Sequence, residues 1–191
     1  MKRIIMVAIL MITISSVLGA TSRGSNINYK RGYIANIDVG GTFIDRLGFR
    51  PEIITSHGYS FGNGIYFGGG IGLGIETWEI RNETDRVFIP LFADFKYSFI
   101  DRLISPYVNV KAGAMLDCTG LGIGYMLLPS IGVDIWRFSL SIGYQNYSCA
   151  YNVPLYEVQG NGTLDMTSTI IGISEGRFGG AGLKIGLTYS F

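Results

Sequence analysis

Apolar and polar residues alternate with a period of two along most of the chain. The alternation is clearest in 179–191, GGAGLKIGLTYSF, where aliphatic and aromatic residues occupy every second position and small or polar residues lie between them. Similar patterns occupy 67–76, 87–99, 108–116 and 136–146. Because successive side chains of a β-strand point to opposite faces, this period predicts strands with one apolar face and one small or polar face.

The whole pattern predicts eight strands with no helix between them. An even number of antiparallel strands returns both termini to one end of a closed barrel, with short turns there and longer loops at the other end. Short turns are expected at 61–64, 100–105 and 135–137, and a long outer loop is expected at 149–177. The predicted strands lie at about 33–44, 51–61, 64–78, 86–99, 105–117, 123–135, 136–148 and 178–191.

Two prolines interrupt this pattern. Pro90 and Pro129 lie inside predicted strands, and proline has no N–H to donate to a neighbouring strand. A closed barrel has no free edge at which the missing donor would face solvent. Bulges or shorter strands are therefore expected at both positions.

The polar face indicates which side of the barrel points inward. A soluble carrier of the lipocalin type would place its apolar face inside, whereas an outer-membrane barrel would place that face outside, against lipid. The polar face of this chain carries mainly Gly, Ser, Thr and Asn with few, nearly balanced charges. We therefore expect it to line the interior. The predicted fold is all-β, an eight-stranded antiparallel up-and-down transmembrane β-barrel over residues 21–191.

Composition favours a location in lipid. The 191 residues are 48% hydrophobic and 15% charged, with a mean hydropathy of +0.32, whereas typical soluble domains have roughly 25% charged residues. Beyond residue 20 there is no apolar run of about 18 residues that would predict a spanning helix, and the closed barrel is the other structure that satisfies its backbone in lipid. The 15 basic and 14 acidic residues are scattered, which disfavours nucleic-acid binding.

Residues 1–20, MKRIIMVAILMITISSVLGA, have the three parts of a secretory signal peptide: a basic start, an apolar run, and small residues at the end. The alternative is a membrane anchor, which needs roughly 20 apolar residues. The run from Ile4 to about Leu18 is shorter than that. We therefore expect export, with cleavage after Gly19 or Ala20.

Charged residues on the polar face are expected to meet inside the barrel. The interior of an eight-stranded barrel is just wide enough for side chains to fill, and a charge held away from water needs an opposite partner. An ion-pair network is therefore expected, the alternative being that the residues near strand ends are solvated. The predicted network consists of Asp38, Glu76, Asp94, Lys96, Lys111, Asp134 and Lys184.

Aromatic residues are expected to form two girdles that flank the apolar band, as in outer-membrane barrels. The girdle near the termini would consist of Tyr33, Phe61, Tyr97, Phe99, Trp136, Phe138, Tyr189 and Phe191. The girdle at the opposite end would consist of Phe43, Trp78, Phe88, Tyr125 and Tyr144.

Catalysis is not expected, because His57 is the single histidine and mechanisms that need two are excluded. A pair with Ser56 or Ser60 would resemble the lipid A deacylase barrels in class alone, since 55–60 carries none of their motifs. No cofactor or metal site is predicted. The glycine-rich segment 67–74 is not followed by a helix, as a phosphate loop would be, and two cysteines offer no metal-site spacing.

The two cysteines, Cys118 and Cys149, follow the fifth strand and the seventh strand on the side of the longer loops. Export would bring them to a compartment where disulfides form. A bridge between them is one expectation, and two separate small apolar residues are the alternative.

Five segments follow one another at strand spacing: FGGGIGLGIE (67–76), IPLFADFKYSF (89–99), SPYVNVKAG (105–113), LPSIGVDI (128–135) and GLKIGLTYSF (182–191). In the order and spacing of these segments the chain resembles the small outer-membrane β-barrel proteins common in Bacteroidetes. That family is similar in architecture to the OmpA/OmpX type. The resemblance covers most of the mature chain and implies an integral position in a bacterial outer membrane. The terminal Phe191 resembles the signal read by the outer-membrane assembly machinery.

The expected role is structural or interactive, with a packed polar interior, no open pore and any binding carried by the outer loops, chiefly 149–177. Outer-membrane lipid and the barrel assembly machinery are the expected partners, and the protein is expected to be a monomer. A lipid A-modifying enzyme and a small diffusion channel are the alternative functions.

Overall fold

The computed structural model describes residues 29–44, 48–76, 86–119, 122–160 and 166–191, with side chains described outside 151–175 and 178. The predicted signal peptide and Trp78 lie outside the described residues. The described residues form eight strands and no helix. The strands are β1 (Arg31–Ile44), β2 (Gly48–Phe61), β3 (Ile65–Glu76), β4 (Arg86–Ser98), β5 (Ile104–Asp117), β6 (Gly122–Ile135), β7 (Phe138–Gly160) and β8 (Met166–Ser190).

The strands close into a barrel in sequence order. Each strand pairs antiparallel with the next, and β1 pairs with β8 to complete the circle. This closing ladder runs from Asn36 opposite Ser190 to Ile44 opposite Gly182. The predicted eight-stranded antiparallel barrel is therefore confirmed. We call the end where β1 begins and β8 ends the terminal end, and the opposite end the loop end.

Short turns lie at the terminal end, as the pattern predicted. They occupy 62–64, 99–103 and 136–137. Gly62 and Gly64 have φ angles of 79° and 86°, a left-handed backbone that glycine adopts without steric cost. The start of β7 differs from the prediction, because Trp136 has a φ of 59° and belongs to the turn.

The prediction of a long loop at 149–177 is wrong. Strands β7 and β8 continue beyond the barrel and pair with each other as far as Gly160 opposite Met166. The ladder between β6 and β7 ends at Ala150, opposite Ile123. Beyond that point, outside the loop end of the barrel, β7 and β8 form a two-stranded hairpin with a register shift next to Leu155.

The expectation of bulges or shorter strands at the two prolines is wrong. Pairing of β3 with β4 is interrupted around Pro90 and resumes in the same register. Pairing of β6 with β7 is interrupted in the same way around Pro129. On its other side each proline stays within a regular ladder, opposite Met115 for Pro90 and opposite Val110 for Pro129. The missing N–H is therefore accommodated by a local gap on one side of the strand.

The polar face lines the interior, as predicted. Asp38, Thr42, Glu52 and Lys184 are among the buried polar side chains, whereas large aliphatic and aromatic side chains are exposed on the outer wall. Among the described residues, no helix is long and apolar enough to cross a membrane. The barrel thus has its buried charges inside and an apolar exterior, the reverse of a lipocalin-type carrier.

Candidate functional site

The middle of the barrel holds a connected set of ion pairs. Lys184 Nζ donates to Glu52 Oε2 at 2.9 Å and lies 4.0 Å from Asp38 Oδ1. Lys111 Nζ lies 3.6 Å from the other oxygen of Asp38. These side chains come from four strands and point to the same axis because they occupy inward positions of the period-two pattern. Buried charges are stable in this form because each has an opposite partner.

Asp94 joins this set through an amide rather than through a direct cation contact. Asn109 Nδ2 donates to Asp94 Oδ1 at 2.6 Å, and Lys111 Nζ donates to the Asn109 side-chain oxygen at 3.3 Å. Asn109 and Lys111 are alternate residues of β5 and therefore share its inward face. The asparagine links the carboxylate to the lysine.

Toward the loop end, Arg50 is the centre of a second group. Its Nη2 lies 3.3 Å from Glu52 Oε1, and its Nη1 lies 3.7 Å from Glu76 Oε2. Its guanidinium carbon lies 4.3 Å from the centroid of the Tyr147 ring and 5.6 Å from that of Phe88. The Tyr147 hydroxyl donates to Glu76 Oε2 at 2.7 Å. Glu76 therefore meets a cation and a hydroxyl donor together.

Toward the terminal end, Lys96 and Asp134 form a third group. Lys96 Nζ lies 2.5 Å from Asp134 Oδ1 and 4.0 Å from the centroid of the Tyr107 ring. The hydroxyls of Ser98 and Ser139 also donate to the Asp134 carboxylate. A cavity of about 80 Å³ lies beside this group, between Ser60, Trp136 and Ser190 at the terminal end.

The structure thus brings six of the seven predicted network residues into direct ion pairs and the seventh, Asp94, into contact through Asn109. The interior also contains charges that the sequence reasoning missed. Arg50 and Glu52 flank Pro51 in a segment with weak alternation. Arg86 and Asp117, 3.1 Å apart, lie at strand ends, where the polar face is not distinguishable from a loop. Arg50 and Glu52 occupy even-numbered positions of β2, as do the buried Ser56 and Ser60. This shared parity is the signal that would have identified them.

An apolar cluster shares the loop-end half of the interior with the Arg50 group. It contains Ile44, Ile54, Phe88, Phe92, Met115, Met126, Tyr147 and Cys149. Phe88 was predicted to belong to an outer girdle, and the structure corrects this, since the residue is 1% exposed and lies inside. Its position follows from parity, because Phe88 shares the inward face of β4 with Phe92 and Asp94. We call this cluster the plug.

The cysteines are both free, and the structure contains no bridge between them. Cys149 lies in the plug, where its Sγ donates to the Met115 carbonyl oxygen at 3.6 Å. Cys118 is exposed at the loop end, and its backbone N–H donates to the carbonyl oxygen of Val87 in β4. The two residues occupy different surfaces of the barrel, which corresponds to the alternative of two separate side chains.

His57 is on the outer wall, whereas Ser56 and Ser60 are buried inside. Residues of opposite parity in a strand point to opposite faces, so the Ser–His pair considered above does not form. The Tyr33 hydroxyl lies 2.6 Å from His57 Nδ1. Among the described residues there is also no group of three or more His, Cys, Asp or Glu side chains that could hold a metal ion.

Aromatic side chains meet at the terminal end of the outer wall. Phe138 packs on Tyr189 with ring centroids 5.1 Å apart, and Tyr189 packs edge-on against Phe191 at 4.7 Å. Tyr97 and Phe99 form a similar pair at 5.1 Å. The backbone N–H of Phe191 donates to the Ala35 carbonyl oxygen at 2.9 Å. The terminal residue is therefore fixed to β1 at the seam that closes the barrel.

The chain matches no family model, no curated protein and no solved structure. The arguments for function therefore come from the geometry of the interior and the outer wall.

Proposed function

We propose that this protein is an integral β-barrel of a bacterial outer membrane with a structural or surface-interaction role. The observation that carries the proposal is the inverted distribution of charge. Nine charged side chains of the described strands are buried, whereas 29 large apolar side chains are exposed. In water this arrangement would leave apolar surface hydrated. Against acyl chains the same surface is favourably solvated, and the ion pairs are sealed from lipid.

Strand length and closure support the same proposal. A transmembrane strand needs about 9–11 residues when tilted, and β1 to β6 have 12 to 14 residues each. A closed barrel satisfies its backbone hydrogen bonds between strands and leaves no open edge in lipid. The β7–β8 hairpin extends beyond the loop end, where it is available for contact with molecules outside the barrel.

Cell fractionation combined with gel migration tests the proposal. The full chain, expressed with its leader in a Gram-negative host, is expected in the outer-membrane fraction. Without boiling it is expected to migrate faster than after boiling, because a folded barrel stays compact in detergent. Recovery in the periplasmic soluble fraction, with no shift on boiling, would contradict the proposal.

The packed interior leads to a second expectation. The plug and the three ion-pair groups occupy the lumen from the loop end to Asp134, so ions have no wide path through it. Planar-bilayer recordings of the purified barrel are expected to show no conductance steps. Regular steps that scale with salt concentration would instead favour the diffusion channel.

A further inference from the structure

A broad concavity lies on the outer wall, on the loop-end side of the turns at the terminal end. Its volume is about 630 Å³, and its lining includes Pro106 and Val108 of β5, Val133 of β6, and Leu140 and Ile142 of β7. Pro106 pairs with Val133, and Val133 pairs with Leu140. Two short side chains thus lie side by side on neighbouring strands, and this makes the wall concave. We call this concavity the groove.

Two arginines lie in the turns between the groove and the terminal end of the barrel. The turns 99–103 and 136–137 contact each other there, with the Trp136 N–H donating to the Leu103 carbonyl oxygen at 3.1 Å. Each turn carries an exposed arginine, Arg102 or Arg137. Phe99, the first residue of the turn 99–103, lines the groove itself. The groove therefore reaches the turn that carries Arg102.

The Arg137 side chain is held in place by its neighbours. Its Nη1 donates to the Tyr189 hydroxyl at 3.3 Å, and its guanidinium carbon lies 5.3 Å from the Trp136 ring centroid. Asp101 is the acidic residue of the neighbouring turn, and it accepts a hydrogen bond from the Tyr29 backbone N–H at 3.3 Å. These two contacts hold the Arg137 guanidinium against Trp136 and Tyr189 at the terminal end of the barrel.

We propose that the groove binds an anionic phospholipid, with an acyl chain against the aliphatic lining and the phosphate against Arg137 and Arg102. The proposal rests on the membrane position argued above, which places the groove among acyl chains and the arginines at headgroup level. Arginine is suited to phosphate because its planar group can donate two parallel hydrogen bonds. A basic residue near the membrane surface favours anionic over neutral lipid.

Native mass spectrometry of the purified barrel, mixed with equal amounts of phosphatidylglycerol and phosphatidylcholine, tests this proposal. Val133→Phe fills the groove, and Val39→Phe is its control, since Val39 is an exposed valine of the outer wall on β1. Arg137→Gln removes one of the two arginine charges, and Arg31→Gln is its control at the same end of the barrel. Ile142→Trp repeats the filling at a second lining position if Val133→Phe does not fold.

The wild-type barrel is expected to retain phosphatidylglycerol in preference to phosphatidylcholine. Val133→Phe should lose both lipids. Arg137→Gln should lower the ratio of retained phosphatidylglycerol to phosphatidylcholine about fivefold, the effect of one basic residue near an anionic surface. Both controls should behave as wild type. Equal retention of the two lipids by wild type, or equal losses in a groove variant and its control, would overturn the proposal. Normal fractionation and gel shift in that case would leave the membrane position standing, whereas their failure would overturn both.

Discussion

At the scale of single residues, the interior depends on charges that are satisfied by each other. Arg50 is one of these charges, since it is 1% exposed and lies between the carboxylates of Glu52 and Glu76. Its ring contacts with Tyr147 and Phe88 add an apolar enclosure around the guanidinium. Removal of one partner from such a group is more harmful than removal of the whole group, because the remaining charges stay buried without compensation.

Arg50→Leu is therefore expected to destabilise the barrel by about 3–5 kcal/mol, the cost of breaking a buried ion pair. The free energy of unfolding in lipid vesicles, measured by urea titration, gives the value. Arg31→Leu is the control, since Arg31 is exposed at the first residue of β1 and should change the stability by less than about 1 kcal/mol. Equal effects of the two substitutions would contradict this account of the interior.

The cysteines give a second prediction at this scale. Cys149 is 0% exposed inside the plug, whereas Cys118 is exposed at the loop end. A charged maleimide is therefore expected to label one thiol of the folded barrel without reductant, and two thiols after unfolding in hot detergent. Cys118→Ser should abolish labelling of the folded form. Two unreactive thiols that become reactive after reduction would reveal a bridge instead.

At the scale of elements, alternation decides most strands, and pairing decides where they end. The inward and outward faces of β1, β5 and β8 follow directly from their period of two. The outward continuation of β7 and β8 does not, because its glycine and polar residues also suit a loop. Beyond Tyr151 opposite Gly176 these strands pair with each other, outside the ladders to β6 and β1.

The hairpin beyond the barrel should consequently be dispensable for barrel folding. Replacing 152–175 with Asn-Gly, a pair that favours a tight two-residue turn, would connect Tyr151 to its pairing partner Gly176 through that turn. The shortened protein is expected to keep its gel shift on boiling and its place in the outer-membrane fraction. Replacing 139–141 by three glycines, inside the barrel ladder, is the matched change that should abolish the shift. Loss of the shift in the shortened protein would show that the hairpin contributes to the barrel.

At the scale of the whole molecule, the outer wall predicts how the cost of a charge depends on depth. Leu91 lies near the middle of β4 and is exposed, whereas Ile104 is exposed at the terminal end of β5. In a bilayer, arginine on the lipid face costs about 2–4 kcal/mol at the midplane and about 0–1 kcal/mol near the interface. In water both positions would be equally solvated.

Leu91→Arg should therefore reduce the free energy of unfolding in vesicles by about 2–4 kcal/mol, and Ile104→Arg by about 1 kcal/mol or less. Urea titration of both variants beside wild type measures the difference. The comparison isolates depth, because each variant replaces one exposed aliphatic side chain by the same cation. Similar costs at the two positions would contradict an outer wall immersed in lipid.

The sequence by itself determined the strand number, the alternation of faces and seven of the inward charges, because side-chain direction in a strand depends on parity alone. Closure, and the partner of each charge, were decided by the tertiary structure. Lys111 of β5 meets Asp38 of β1 across the lumen, and Asp94 reaches Lys111 through Asn109. Such contacts join residues that are far apart in the chain or hidden by weak alternation. They depend on strand register, which arises when eight strands close on one another around a common axis.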